Sequence, residues 1–156
     1  MKLYPSLIDR LRSQHEAIEN VIAYMNPART FVRPKSDTWH IHDNIAHLTR
    51  YQIEFRNRIK KILTENEPVF ERYNSDLDPE FAACRSKETW TLISELTEER
   101  AKLFRMISSL SEVELARTGG HQKFGKLDIP NWIEFFLLHE AHHIFTIFKL
   151  ANDVDL

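Results

Sequence analysis

The sequence predicts an all-α fold, a four-helix bundle with long connections, and three observations carry that prediction. Helical spacing of apolar residues recurs in four long segments, no segment shows the strict alternation of a half-buried strand, and glycine and proline are scarce, at 3 and 6 of 156 residues. At this length a single domain spanning residues 1–156 is expected, because one core can bury most of the apolar side chains.

The first segment runs from about Leu7 to Met25, where Leu7, Leu11, Ile18, Val21, Ile22 and Met25 build one apolar stripe that Pro27 closes. The second runs from near His40 to about Leu63, with Ile41, Leu48, Phe55, Ile59 and Ile62 on one side and the polar "TENEP" as its stop. The third spans roughly Lys87 to Ile107 behind Ser86 as the expected N-cap, with Trp90, Ile93, Ala101, Phe104 and Ile107 facing inward. The fourth, about Ile129 to Leu150, has Asp128 as its cap and Pro130 in its first turn, where a missing N–H costs little. It is apolar almost all round and is therefore expected at the centre of the bundle, surrounded by the others.

The links over residues 26–39, 64–86 and 108–127 exceed the ~2 to 8 residues usual in bundles, and are expected to form the rim of a site. Within them "DPEFAAC" and "SEVELAR" read as short helices, the latter opening on Ser111 and Glu114 at capping-box spacing. Hydrophobic residues at 42% and charged residues at 28% fit an ordinary globular protein. A formal charge of -2, from 21 basic and 23 acidic side chains, offers no field to steer the chain to nucleic acid or anionic lipid. Cys84 is the lone cysteine, which favours a reducing compartment. The opening "MKLYPSLIDRLRSQ" lacks a secretory h-region and no apolar run approaches the ~20 residues of a membrane span, so a cytoplasmic location is expected.

The chemistry concentrates in "FFLLHEAHHIF". His139 and His143 stand four residues apart, one helical turn, and can aim at one ion. With Glu140 they match H-E-x-x-H, the zincin protease pattern, but only 13 residues follow His143 and nothing upstream reads as a substrate-binding sheet. The third ligand is then sought on another helix. His47 in "WHIHDNIAHLTRYQ" lies at the edge of the second segment's apolar stripe, near Asp43, Tyr51 and Glu54. Three neutral imidazoles would suit zinc or nickel and leave a position open. The alternative is that each imidazole finds its own backbone or carboxylate partner, as single core histidines usually do.

The remaining candidates are weaker. His142 lies about 60° round the helix from His139 and reads as a group supporting a ligand from behind or one facing a neighbouring helix. His40 and His42 read as surface capping groups and His15 as solvent-facing, while His121 sits in the loop "TGGHQKFG", where function often resides. Trp39, Trp90 and Trp132 each open a long helix and read as core anchors or the wall of a pocket. Arg50 and Arg58 are read as solubilising, with an anionic substrate as the other use.

The tryptophan before a helix with an internal histidine (Trp39 and His47), the closing "HEAHHI", and "LSEVELARTGGHQKFGKLDI" between them resemble the DinB-like superfamily of metal-binding four-helix bundles. That resemblance covers about two-thirds of the chain and rests on the order of the motifs and the gap from His47 to His139. It implies His47, His139 and His143 as ligands to a divalent zinc or nickel ion, and a homodimer packed through the helices. It also implies an enzyme acting on a small molecule, either a transferase using a low-molecular-weight thiol such as bacillithiol or mycothiol, or a hydrolase. Glu140 is the candidate general base. The chain departs from the thiol-transferase relatives one turn beyond the helix-two histidine, where it has Arg50, Tyr51 and Gln52. The competing expectation is a non-catalytic bundle in which the ion only staples helices together.

Overall fold

The computed structural model describes residues 3–33 and 38–153, and its long helices are α3 (Ile41–Thr64), α5 (Thr89–Ser108) and α7 (Ile129–Ala151). The single first helix expected from Leu7 to Met25 is instead two, α1 (Pro5–Ser13) and α2 (Ala17–Ile22), separated by a 3₁₀ turn at Gln14–Glu16. The apolar stripe survives the break, since Leu7, Leu11, Ile18 and Ile22 are all buried. The break falls where polar side chains enter the interior. Gln14 Nε2 donates to the Leu137 carbonyl at 2.9 Å and to Glu140 at 3.0 Å. His15 is likewise buried, its Nδ1 3.5 Å from Arg100 Nη1, so its expected solvent-facing position is corrected. Helical periodicity alone put it outside; a buried guanidinium on α5 draws it in.

α3 starts in a capping box in which His40 stands where serine or threonine is usual: its Nδ1 accepts from the Asp43 N–H at 3.0 Å, and the Asp43 carboxylate accepts from the His40 N–H at 3.3 Å. The two neighbouring short helices are α4 (Pro79–Arg85), capped by Asp78, and α6 (Glu112–Leu115), capped reciprocally by Ser111 and Glu114 as the sequence predicts. Asp128 caps α7 by accepting from the Asn131 N–H at 2.9 Å. α5 departs from expectation. Ser86 closes α4, and Glu88 precedes α5 without a side-chain cap bond.

The central helix is α3 rather than α7. Every residue from Ile41 to Thr49 is buried although four are histidine, aspartate or asparagine, whereas α7 leaves Leu138 at 58%, Phe145 at 60% and Phe148 at 47% exposure. Hydrophobicity alone ranked the two helices the other way. Satisfied hydrogen bonds across the bundle decide it, because a polar side chain with a partner can be buried at little net cost.

A small sheet, which the sequence did not predict, also forms. β1 (Val69–Phe70) pairs in parallel with β2 (Thr118–His121), which pairs antiparallel with β3 (Gly125–Asp128), in the order β1-β2-β3. Strands of two to four residues are too short to show alternation. The sheet packs against the C-terminal end of α3: a Cβ at Gly119 would lie 2.9 Å from Ile62 Cγ1 and 3.0 Å from the Phe70 ring. Arg117 ties the same end down, donating to the Ile62 carbonyl at 2.6 Å and the Glu65 carbonyl at 2.7 Å.

Two apolar clusters fill the bundle. One holds Leu7, Leu11, Phe55, Ile59, Leu103, Trp132 and Phe136, with Phe55 and Phe136 stacked at 4.3 Å; the other holds Ile18, Ile41, Ile45, Leu92, Leu96 and Ile147. On the first helices, α5 and α7 the change from one cluster to the other falls at a polar residue, Gln14 and His15, Arg100, and Glu140; on α3 it falls between Leu48 and Tyr51, beside Gln52, which bonds to both Arg100 and Glu140. The interior is thus two oily layers divided by a buried polar one.

Candidate metal centre

The same level of the bundle holds the three histidines singled out from the sequence. His47 on α3 and His139 and His143 on α7 converge so that one ring nitrogen of each lies within 4.8 Å of the others. His47 Nε2 and His139 Nε2 are 3.2 Å apart. Two imidazole nitrogens bound tetrahedrally to zinc at ~2.0–2.1 Å would be separated by roughly 3.3 Å, so this spacing fits a shared ion. No other histidine, cysteine, aspartate or glutamate among the described residues joins the group.

The tautomers fit as well. Asn44 Oδ1 accepts from His143 Nδ1 at 2.8 Å while Asn44 Nδ2 donates to the His40 carbonyl at 3.0 Å, which fixes the amide orientation and places the His143 proton on Nδ1. The Nε2 lone pair of His143 is then free. Ser75 Oγ stands 2.9 Å from His47 Nδ1, and when that hydroxyl accepts from the ring the Nε2 lone pair of His47 is free as well. His139 Nδ1 is buried with no hydrogen-bond partner, and its Nε2 faces His47 Nε2. Without an ion, one of these rings must donate its Nε2 proton to the other; a cation bound between them takes both lone pairs instead.

Burial pushes all three imidazoles down, His47 to about 3, His139 to about 4 and His143 to about 2, with neighbouring histidines adding to the effect. All three are neutral at pH 7 and available as ligands without competition from protons. An aromatic wall accounts for the burial. The Trp39 ring lies 5.1 Å from His47 and 6.0 Å from His143; Tyr51 lies 4.5 Å from His139; Tyr73 and Phe81 lie 5.8 and 6.1 Å from His47. Tyr73 is fixed by donating to Asp78 at 2.7 Å, and Arg50 pairs with the same carboxylate oxygen at 2.7 Å.

Glu140 does not belong to the cluster. Its carboxylate is fully buried and accepts from Arg100 Nη2, from Gln52 Nε2 at 3.2 Å and from Gln14 Nε2 at 3.0 Å. The candidate general base thus lies apart from the three histidines: adjacent residues on a helix point ~100° apart, and Glu140 faces α5 and the first helices. The protease geometry is not met.

The other candidates resolve into structural roles. His42 is buried with both ring nitrogens engaged, by Thr89 Oγ1 at 2.8 Å and the Arg85 carbonyl at 3.0 Å, so it is not a surface group. His142 is exposed, its ring 5.2 Å from His143. His121 closes the β2–β3 turn by accepting from the Lys123 and Phe124 N–H groups at 3.1 Å each. Arg58 is buried and donates to Glu54 and the Glu71 carbonyl, while Trp132 is fully buried and Trp90 is half exposed. Asn44 and Ser75 escaped the sequence reading. Asn44 precedes His47 by three residues, a spacing that puts both on one face, whereas Ser75 sits on a 3₁₀ turn in a long link and left no periodic signal.

An α-helical bundle with three neutral imidazoles gathered from its first and last long helices, α3 and α7, defines a class of proteins suited to hold a divalent ion. The chain belongs to the DinB superfamily, whose family profile matches residues 10–147. It is 24% identical over 153 residues to a protein of Oceanobacillus iheyensis provisionally named a metal-dependent hydrolase, a match covering 95% of this chain and 86% of the relative. Among solved structures it resembles Bacillus subtilis YfiT, described as a "probable metal-dependent hydrolase with an unusual four-helix bundle topology", with a TM-score of 0.82, 17% identity, and 95% and 85% of the two chains covered. It also resembles a mycothiol-dependent maleylpyruvate isomerase, with a TM-score of 0.73 and 14% identity, over 94% of this chain and 61% of the other. At these identities the structural likenesses establish the fold. Among the described residues no helix is long and apolar enough to cross a membrane.

Proposed function

We propose that this protein is a metal-dependent enzyme acting on a small molecule, with His47, His139 and His143 as ligands to a divalent zinc or nickel ion. The observation that carries the reading is the outer hydrogen bonding. Asn44 holds the His143 ring with its Nε2 lone pair free, Ser75 Oγ engages His47 Nδ1 on the side away from the cluster, and the third ring carries a buried nitrogen without a partner. The ion would act as a Lewis acid that lowers the pKa of a water or thiol. Hydrolysis, the activity in the names of two of the similar proteins, is the reading we favour, and transfer of a low-molecular-weight thiol such as bacillithiol is the second.

This chain's own residues set the conditions for that chemistry. Trp39, Tyr73 and Phe81 exclude water from one side of the cluster. Tyr51 is buried beside His139, and burial raises its phenol pKa, so it keeps its proton at neutral pH and remains a hydrogen-bond donor. The Arg100–Glu140 network joins α5 to α7 without any ion, which supports a catalytic rather than a stapling role.

Elemental analysis of untagged protein tests the reading directly. About one divalent ion per chain is expected, and none after His139→Ala. A chelator should abolish hydrolysis of small ester or amide substrates, or thiol transfer, while the thermal midpoint changes little. A collapse of that midpoint would support the structural role, and absence of metal from the wild type would end the proposal.

A further inference from the structure

We propose that the cleft where the 27–31 turn, the start of α3 and the end of α4 meet is a second binding site, one that takes a small oxyanion on Arg33, Arg85 and His40. It is a cavity of about 380 Å³ whose lining includes Phe31, His40, His42, Asp43 and Arg85; Arg33 stands beside the lining, its Nη2 3.4 Å from the Asp43 carboxylate. The three histidines of the candidate metal centre do not line it, and the inference does not rest on the presence of metal.

The charge balance is the first argument. Asp43 is fully buried, and two guanidinium groups converge on its carboxylate, Arg85 Nε at 2.7 Å and Arg33 Nη2 at 3.4 Å. Among the described residues no other carboxylate pairs with either arginine, so two positive charges meet one negative charge that already caps α3. Both guanidinium groups are more than a third exposed and keep N–H donors free of the aspartate.

The second argument is the kind of hydrogen-bonding capacity left over. His40 Nδ1 accepts from the Asp43 N–H, so the neutral ring carries its proton on Nε2 and offers a donor. His42, bonded at both nitrogens, contributes only its ring face, against which Phe31 packs at 4.7 Å. The arginine and His40 groups with unused capacity here are therefore donors; the one acidic group, Asp43, lies beneath them, its Oδ1 within ion-pair distance of Arg85 Nε but without an aligned hydrogen bond. A ligand must bring acceptor oxygens and negative charge; a planar fork of donors suits a phosphate or a carboxylate. Phe31, half exposed at 52%, provides an apolar surface for whatever carries that group.

The test is a titration of the full-length protein with inorganic phosphate and, separately, with benzoate at constant ionic strength, followed by amide chemical shifts. Saturable shifts at Phe31, His40, Ala82, Arg85 and Ser86 are expected. Arg33→Gln should weaken binding by at least about tenfold, because a charge-assisted donor is lost. That variant leaves the shorter Arg85–Asp43 pair in place, so it should stay folded where a change at Arg85 would expose Asp43 unpaired. Phe31→Ser distinguishes the two ligand sources: it should weaken benzoate and leave phosphate unchanged if a carboxylate on an apolar ring is the natural ligand, and affect neither if a phosphate is. Shifts that rise linearly without saturation, or equal affinity in wild type and Arg33→Gln, would overturn the assignment.

Discussion

Replacing Arg100 by methionine tests the buried polar layer most sharply. The guanidinium is 1% exposed and donates to Glu140, to Gln52 Oε1 at 3.0 Å and to the Leu11 carbonyl at 3.2 Å. Its removal leaves the fully buried Glu140 carboxylate with only the two glutamine amides as donors. Breaking a buried pair from one side costs about 3–5 kcal/mol, a large part of the ~5–15 kcal/mol that stabilises an ordinary domain. For a chain of this size each kcal/mol lowers the thermal midpoint by roughly 2–4 °C, so a drop on the order of 10 °C is expected. The double variant Arg100→Met, Glu140→Met removes both charges and should recover at least about half of that loss. Calorimetry and urea unfolding of wild type, both single variants and the double variant complete the cycle. A cost below about 1 kcal/mol for Arg100→Met, or a double variant less stable than that single one, would refute the reasoning. Glu140→Gln adds a functional arm: loss of metal-dependent activity with an unchanged melt would support Glu140 as the general base.

Asn44→Ala should lower the affinity for zinc by about 10- to 100-fold, read by competition with a chromophoric chelator, because His143 loses the acceptor that orients it. Acid should destabilise the metal-free protein. His15, held near 4 by burial and Arg100, and His47, His139 and His143 all titrate below the ordinary imidazole value. Between about pH 6.5 and 4 the unfolded chain therefore binds more protons, and stability falls as pH falls, by up to ~1.4 kcal/mol per pH unit for each imidazole. Urea unfolding at pH 7, 6 and 5 checks the sign, and stability that rose on acidification would contradict it. Gly119→Ala should cost about 1–3 kcal/mol by driving a methyl into Ile62 and Phe70. Gly125→Ala meets no neighbour but sits at φ +71°, and should cost about 1–2 kcal/mol from backbone strain alone; thermal melts of the two variants separate crowding from strain.

The long helices were legible because each carries its own periodic stripe or end signal, as at Asp128 with Pro130 before α7 and Ser111 with Glu114 before α6. Where a feature depends on a distant partner, local rules misplaced it. His15 was read outward because its neighbours Gln14 and Glu16 are polar, yet Arg100, 85 residues away, makes room for it inside. α7 was read as central because it is the most apolar helix, but α3 takes that place by bonding its polar side chains across the bundle. β1, β2 and β3 are held by pairing and by the close approach at Gly119, neither of which leaves an alternating pattern in so few residues.

By itself, the amino-acid order determined what one turn of helix determines: His139 and His143 on a common face, Glu140 turned ~100° from His139, and His47 at the edge of an apolar stripe. Tertiary structure decided that His47 meets rings 92 and more residues away, that Asn44 leaves the lone pair of His143 free while Ser75 engages the far nitrogen of His47, and that Glu140 is paired with Arg100. The division has one physical cause. Backbone geometry repeats every 3.6 residues and can be read along the chain, whereas the partner that satisfies a buried polar group is chosen only when helices pack.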